Sequence, residues 1–371
     1  MSRTGVLPKQ MLRELFSPEN IAGVEEQYLN PASIDLPLSK EAYRIESIFL
    51  ILNGQEKVRD LLPLVGATEH CLDSPLEVGV PYLIRVAGTW KLPSTVYGYA
   101  NPKSSTGRIG FFCRTIADGV DMYDSLDAET PNPQFKSGWS GEIWMLVRAE
   151  YFPILLRPGL ALSQIRLFDG KSFLDDLHSE LAIRSSGLIF DEAGKKLLYQ
   201  ETRRHDDSFL LTIHVGEMMG WECRGTRKIL DMSKSNFYDP RDFFSSIQAP
   251  DGRYILRKNC FYILTTRERI MVPPHLSAEL RAIEERLGEF RSHAAGYIDP
   301  GWGCGADGNG CGRPITLEVI PQEDMLVRDG QRIARIRYEE MKDIPEILYD
   351  DPMRSNYTDQ WAARLSKHFK L

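Results

Sequence analysis

Lys103, Ser104, Ser105 and Arg108 put two cations and two hydroxyls within six residues of sequence, inside the stretch NPKSSTGRIGFFCRTIADGVD that runs from Asn101 to Asp121. Such a group suits a polyanionic ligand, because each phosphate oxygen can accept a charge-assisted hydrogen bond. Gly107 and Gly110 would let the backbone come close to the anion. The stretch reads as a turn at the end of one strand, followed by a second strand that delivers Asp121 as a candidate acid. A Ser/Gly surface loop with incidental charges has the same local composition, so the rest of the chain has to decide between the two.

Length and composition set the bounds. At 371 residues the chain exceeds one ordinary core and divides most naturally into two domains. With 42% hydrophobic residues, 26% charged residues and no apolar run of membrane-spanning length, the expectation is a soluble globular protein without a membrane partner. The N-terminus lacks the apolar core of a signal peptide, which makes the cytoplasm the expected compartment. A net charge of −7 argues against a broad nucleic-acid surface, so an anion would be met by a local cluster and should be small. Six cysteines without a C-x-x-C pair read as reduced thiols. His293, Cys304 and Cys311 raise a zinc question, but the Gly-rich loop between the cysteines lacks the tight spacing of a structural site, and no protein-bound metal is expected.

The elements that must position the turn are short and mostly extended. Residues 4–16 have apolar residues at helical spacing after a Thr cap and predict an N-terminal helix. Strand-like runs follow at 33–39, 43–51, 81–92, 95–100, 108–116, 141–150 and 160–168, punctuated by Pro and Gly. They resume in FLLTIHV, GRYILR, FYILTTRERIMV, ITLEVIP and QRIARIRY, whereas 276–290 reads as helical. Residues 171–207 are more charged and less periodic, with a possible hairpin across DEAG, and are expected as a connector between domains 1–170 and 208–371.

The two halves echo each other. Tyr82 to Pro93 and Tyr262 to Pro273 are both eleven apart, and Lys103 to Asp121 and Arg281 to Asp299 are both eighteen apart, with Arg108 matched by Arg286 and Gly110 by Gly288. GW recurs at 138 and 301. A tandem duplication of one all-β unit of sandwich or jelly-roll type accounts for this pattern.

At these residues the chain resembles the trimeric dCTP deaminase and dUTPase family, and more closely its deaminase branch in a tandem-duplicated long form. The resemblance lies in NPASIDLPLS, KSSTGRIG, TIADGVD, GWSGEI and LLRPGLALSQIRLF of the first half, and in AAGYIDPGW, ITLEV and YDDPMRSNYTDQ of the second. It implies a mainly β fold of two dUTPase-like distorted jelly-roll barrels with short helices. It also implies hydrolytic deamination of dCTP to dUTP and ammonia, with magnesium on the triphosphate and no zinc. Glu318 matches the family's general base, a role a carboxylate can fill if burial moves it from its solution behaviour. Ser104 and Arg108 match the residues that hold the attacking water and the glutamate, with Lys103 and Ser105 on the phosphates. Asp121 and Asp299 match the acid that reads the sugar 3′-hydroxyl, and Ala117 or Ala295 would give backbone contacts to the base. Tyr349, Arg354, Tyr357 and Gln360 match a closing tail; Asn356 stands where a lysine is usual, and Arg354 could substitute for it.

Neither half is complete by that pattern. Leu146, or Met145 if the register slips by one, stands where the first half would need Glu318, and Ala282 stands where the second would need Ser104. Family sites lie between subunits of a homo-oligomer, so a working site would join a first half to a second half. A threefold ring cannot alternate two kinds of half, which leaves the pairing open. A dUTPase-like or bifunctional nucleotide diphosphatase using Asp121 or Asp299 is the alternative enzyme, and a non-catalytic nucleotide-binding regulatory module is the third reading. A zinc deaminase is disfavoured by the absence of its H-x-E and P-C-x-x-C signature.

Overall fold

A computed structural model describes residues 4–370 apart from 53, 128–137, 203, 282, 284, 289, 293–295, 306–309, 352–356 and 358–359. Strand accounts for 39% and helix for 11%, so the protein is mainly β, as expected for a dUTPase-like fold.

The first half opens with β1 (Gly5–Val6) and helix α1 (Lys9–Glu14). The predicted helix is shortened at its start because Val6 pairs with Phe168 and Pro8 occupies the cap. Then come β2 (Ile34–Arg44), β3 (Pro81–Val86), β4 (Val96–Pro102), the single turn α2 (Ser104–Gly107), β5 (Phe112–Ala117), β6 (Ile143–Arg148) and β7 (Ala161–Asp169). These strands form one curled sheet in the order β1-β7-β2-β3-β6-β5, with β4 on β7. The run predicted as a strand at 43–51 leaves the sheet after Arg44. Ile45 and Ile51 instead join Val58, Leu61 and Val65 in a separate apolar layer over Leu83, Ile116, Trp144 and Leu146.

Residues 171–202 and 204–207 are structured. They carry helix α3 (Asp176–Ser186), capped by the Asp175 side chain on the His178 N–H, and the hairpin at DEAG, where the Asp191 N–H donates to the Lys195 carbonyl at 2.9 Å. Phe190 of this segment pairs with Arg269 in the second half.

The second half contains β8 (Ser208–Thr212), β9 (Gly220–Cys223), β10 (Phe261–Ile270), β11 (Leu276–Arg281), β12 (Phe290–Ser292), β13 (Arg313–Pro321) and β14 (Arg332–Glu340). Two sheets result, ordered β9-β10-β13-β12 and β8-β14-β11. The helix expected at 276–290 is a strand followed by a 3-10 turn at Glu285–Leu287. Leu276 and Leu280, four apart, fit helical spacing and, with Ala278 between them, a period of two as well, and pairing of Leu280 with Ile336 on β14 settles the matter in favour of the sheet.

Strands β10 and β13 face two cores. Tyr262, Leu264, Leu317 and Val319 belong to the core of the second half, whereas Phe261 and Ile263 join that of the first, against which Ile320 also packs. The even-numbered side chains of β13, including Glu318, therefore face the first half. A buried ionic cluster ties the halves as well: Arg166 of β7, 1% exposed, pairs with Glu279 of β11 at 3.0 Å and with Glu339 of β14.

Candidate active site

The turn after β4 is built by its own backbone. The Lys103 carbonyl accepts hydrogen bonds from the N–H groups of Thr106 and Gly107, each at 2.9 Å, and the Thr106 hydroxyl donates to the Leu162 carbonyl at 2.8 Å, which fixes the turn to β7. Gly110 has φ +64°, and a Cβ there would sit 2.8 Å from the Tyr151 ring and 3.0 Å from Phe261. This glycine serves the contact between halves and not, as its position suggested, the approach of an anion.

One cavity gathers the residues that the sequence divides between the halves. Lys103, Ser104, Ser105 and Arg108 line it from the turn, Asp299 and Glu318 from the second half, and Tyr349, Tyr357 and Gln360 from the tail. Glu318 is 4% exposed and Arg108 5% exposed, so both lie in a setting largely withdrawn from water. The Arg108 guanidinium donates to the Gln360 side-chain oxygen at 2.8 Å and to the Arg364 carbonyl at 3.1 Å, and lies 3.9 Å from the centre of the Tyr357 ring. Gln360 in turn donates to the Pro314 carbonyl at 2.9 Å on β13, and the Ser366 hydroxyl donates to the Ser105 carbonyl at 2.9 Å. The tail thus crosses the mouth of the cavity, bonded to the turn on one side and to β13 on the other. Beyond it, Phe369 packs on Phe243 and Phe244 with ring centres 5.4 and 5.3 Å apart. Tyr349 is placed by the GYIDPGW segment: its N–H donates to the Pro300 carbonyl at 2.8 Å and its ring lies 5.0 Å from that of Trp302.

Charged groups of both signs, Lys103, Lys367, Asp35 and Asp299, lie within reach of one another at the cavity. Burial, and next the charge of Asp35, push the Asp299 carboxyl up to about 7, against the pull of Lys103, and its Oδ1 is buried without a hydrogen-bond partner. Lys103 pairs with Asp35, which also accepts a 2.8 Å bond from Asn30. Lys367 lines the same cavity, and its ammonium is held below the usual lysine range by burial first and by Lys103 next. Two lysines near enough to repel one another are stabilised by a ligand carrying several negative charges.

The duplicated counterpart is closed. Leu83 and Ile263, each one residue past the matched tyrosines, pair across the sheet with Leu146 and Glu318, so Leu146 holds the place of the base in the first half. The apolar layer formed by residues 45–65 covers it. Accordingly Asp121 is exposed and Ala117 is buried within the first half, and neither lines the cavity, because they belong to the copy whose base face is filled. Arg286 is exposed and also lies away from the cavity. Ala295, Arg354, Asn356 and Ala282 lie outside the described residues.

Sequence reasoning missed Lys367, Gln164 and Thr316, all of which line the cavity. Lys367 lies in the basic segment SKHFK just past Gln360, where the tail pattern stops. Gln164, oriented by the Ser33 hydroxyl at 2.8 Å, sits inside a strand that read only as scaffold. Cys304 and Cys311, considered for zinc, pack with Phe190 and Met271 in an apolar cluster. His293 lies outside the described residues.

Residues 3–171 match the N-terminal domain and residues 190–369 the C-terminal domain of 2′-deoxycytidine 5′-triphosphate deaminase. The chain belongs to the dCTP deaminase family. A relative from Dictyoglomus turgidum, named dCTP deaminase, dUMP-forming, is 31% identical over 146 residues, which is 38% of this chain and 69% of that protein. A relative of the same name from Methanothermobacter thermautotrophicus is 31% identical over 160 residues, 40% of this chain and 75% of that one. The crystal structure of 2′-deoxycytidine 5′-triphosphate deaminase from Agrobacterium tumefaciens is similar over 95% of this chain and 100% of its own, at 29% identity and a TM-score of 0.82. The names of the two sequence relatives overturn the expectation of dUTP as the end product, since both are dUMP-forming.

Proposed function

We propose that this member of the dCTP deaminase family deaminates dCTP in the cavity where Ser104 and Arg108 meet Glu318, and carries the nucleotide on to dUMP and pyrophosphate as its relatives are named to do. The observation that supports this reading most is that one chain brings together the turn without a base and the base without a turn. A regulatory module whose halves had decayed independently would have no reason to keep them in one cavity. In this reading the turn and the base come from one chain, so a second chain's turn is not required.

In this reading Glu318 takes a proton from the water that attacks the ring carbon bearing the amino group, and returns it to the departing nitrogen. Water's oxygen bonds to that carbon, the carbon–nitrogen bond breaks and ammonia leaves. Ser104 and Arg108 hold water and carboxylate in register. Lys103, Ser105 and Lys367 bind phosphate oxygens, and Asp299 reads the sugar hydroxyl. With cations and hydroxyls at the phosphate end, magnesium would enter on the triphosphate, held by its oxygens and by water and not by a protein cage. Loss of pyrophosphate needs a second water; of the two acids considered for a hydrolase, Asp299 is the one that lines the cavity.

Incubation with dCTP, dCMP and dUTP plus magnesium, following ammonia and pyrophosphate separately, tests the reading. Both products should form from dCTP, and Glu318→Gln should stop ammonia release while dCTP binding stays within a few fold. Near wild-type ammonia release by Glu318→Gln would remove Glu318 as the base.

A further inference from the structure

The even-numbered face of β13 lines two cavities in succession. Thr316 and Glu318 line the one closed by the tail, and Glu318 and Ile320, followed by Gln322, line a second behind it. The second cavity lies between the halves, under the segment that follows the phosphate turn, with Gly110, Cys113, Tyr151 and Phe261 among its walls. It holds about 370 Å³, against about 180 Å³ for the first. Gln322 at its rim is exposed, so this second space reaches solvent on a side the tail does not cover. Glu318 is the residue the two spaces share, and the reaction proposed for it consumes a water and produces an ammonia at each turnover.

The front route is obstructed when the tail is down. Gln360, Arg364 and Ser366 are each bonded to the turn or to β13 across the mouth, and a bound nucleotide would fill the space beneath. Small neutral molecules would then have to wait for the tail to lift. A rear space of several water volumes, mixed in polarity and adjoining the same glutamate, removes that wait.

From this arrangement we infer that the rear cavity is the passage by which water reaches Glu318 and ammonia leaves it while the tail stays closed over the nucleotide. The inference rests on Glu318 being the base. It assigns an order to the products: ammonia departs through the rear first, and the nucleotide leaves through the front when the tail opens. Apolar walls at Tyr151, Phe261 and Ile320 suit neutral ammonia better than ammonium, which the polar rim can protonate once it emerges.

The test is to fill the passage and time the two products. Gln322→Trp blocks the exposed rim with little risk to folding, and Ile320→Trp fills the interior. Each is compared with wild type for dCTP affinity by calorimetry on a Glu318→Gln background, and by stopped flow in a single turnover with separate coupled reporters for free ammonia and free nucleotide. In the wild type ammonia should appear ahead of free nucleotide. In the filled variants dCTP affinity should be unchanged, and ammonia should slow about tenfold and follow nucleotide release, as a gated step would. Simultaneous release in the wild type, or unchanged timing in Gln322→Trp together with Ile320→Trp, overturns the passage. Glu318→Gln separates the two claims. If it is inactive while the filled variants behave as wild type, the passage alone fails; if it is active, the base assignment fails and takes the passage with it.

Discussion

Replacing Asp299 by Asn should make the protein more stable and less active, and the pH at which each effect appears is set by the cavity. The carboxyl is taken from its ordinary 3.8 to about 7 by burial and by Asp35, so the folded state holds its proton over that window while the unfolded state gives it up. More protons bound by the folded form means that stability falls as pH rises from about 4 to about 7. At about 1.4 kcal/mol per pH unit the cost reaches about 4 kcal/mol above pH 7. Asn has the same shape and no charge to desolvate. Asp299→Asn should therefore unfold at a higher temperature or urea concentration than wild type at pH 8, by up to that amount, and the difference should vanish towards pH 4. Activity should move the opposite way. An ionised carboxylate accepting the sugar hydroxyl is worth about 1.5–3 kcal/mol, so kcat/KM for dCTP should drop about tenfold to a hundredfold at pH 8. The wild-type profile should rise through a midpoint near 7, and that limb should be missing in the variant. Equal stability of the two proteins at pH 8, or a limb near 7 that survives the substitution, would refute the reasoning.

Lys367→Met removes one of the two cavity lysines and should raise KM for dCTP about tenfold, with a smaller effect on any turnover of dCMP, which presents fewer phosphate oxygens; equal effects on both would take Lys367 off the phosphates. Arg166→Leu leaves Glu339, fully buried between the halves, without its cation. About 3–5 kcal/mol of stability should be lost, and a denaturation midpoint within error of wild type would contradict the role of that cluster in joining the halves.

Much of the site was legible because its chemistry is carried by short contiguous motifs. KSSTGRIG put the cations and hydroxyls of an anion turn in one short run, while the sequence left Leu146 or Met145 in the place of Glu318 until the pairing of Leu83 with Leu146 and of Ile263 with Glu318 chose Leu146. The orientation of Glu318 was not legible. Both faces of β13 are buried, against different cores, so apolar neighbours on either side left its direction open until the halves were packed. The segment from 276 to 290 misled because Leu276 and Leu280, four apart, fit both periodicities, and only the partner strand chooses between them. Residues 45–51 read as strand yet join Val58, Leu61 and Val65 in the layer that fills the unused copy of the site, a tertiary event with no local signature. Lys367 was missed because its role depends on where the tail lies, which follows from the seating of Phe369 between Phe243 and Phe244.

The central claim is that the turn and the base of one active site come from the two halves of the same chain. It is tested most directly by co-refolding Ser104→Ala chains with Glu318→Gln chains and measuring ammonia release from dCTP. A mixed assembly cannot rebuild an intrachain site, so the activity of the mixture should equal the mean of the two variants weighted by their proportions at every ratio. Recovery well above that mean would place the turn and the base of a working site on different chains and contradict the account.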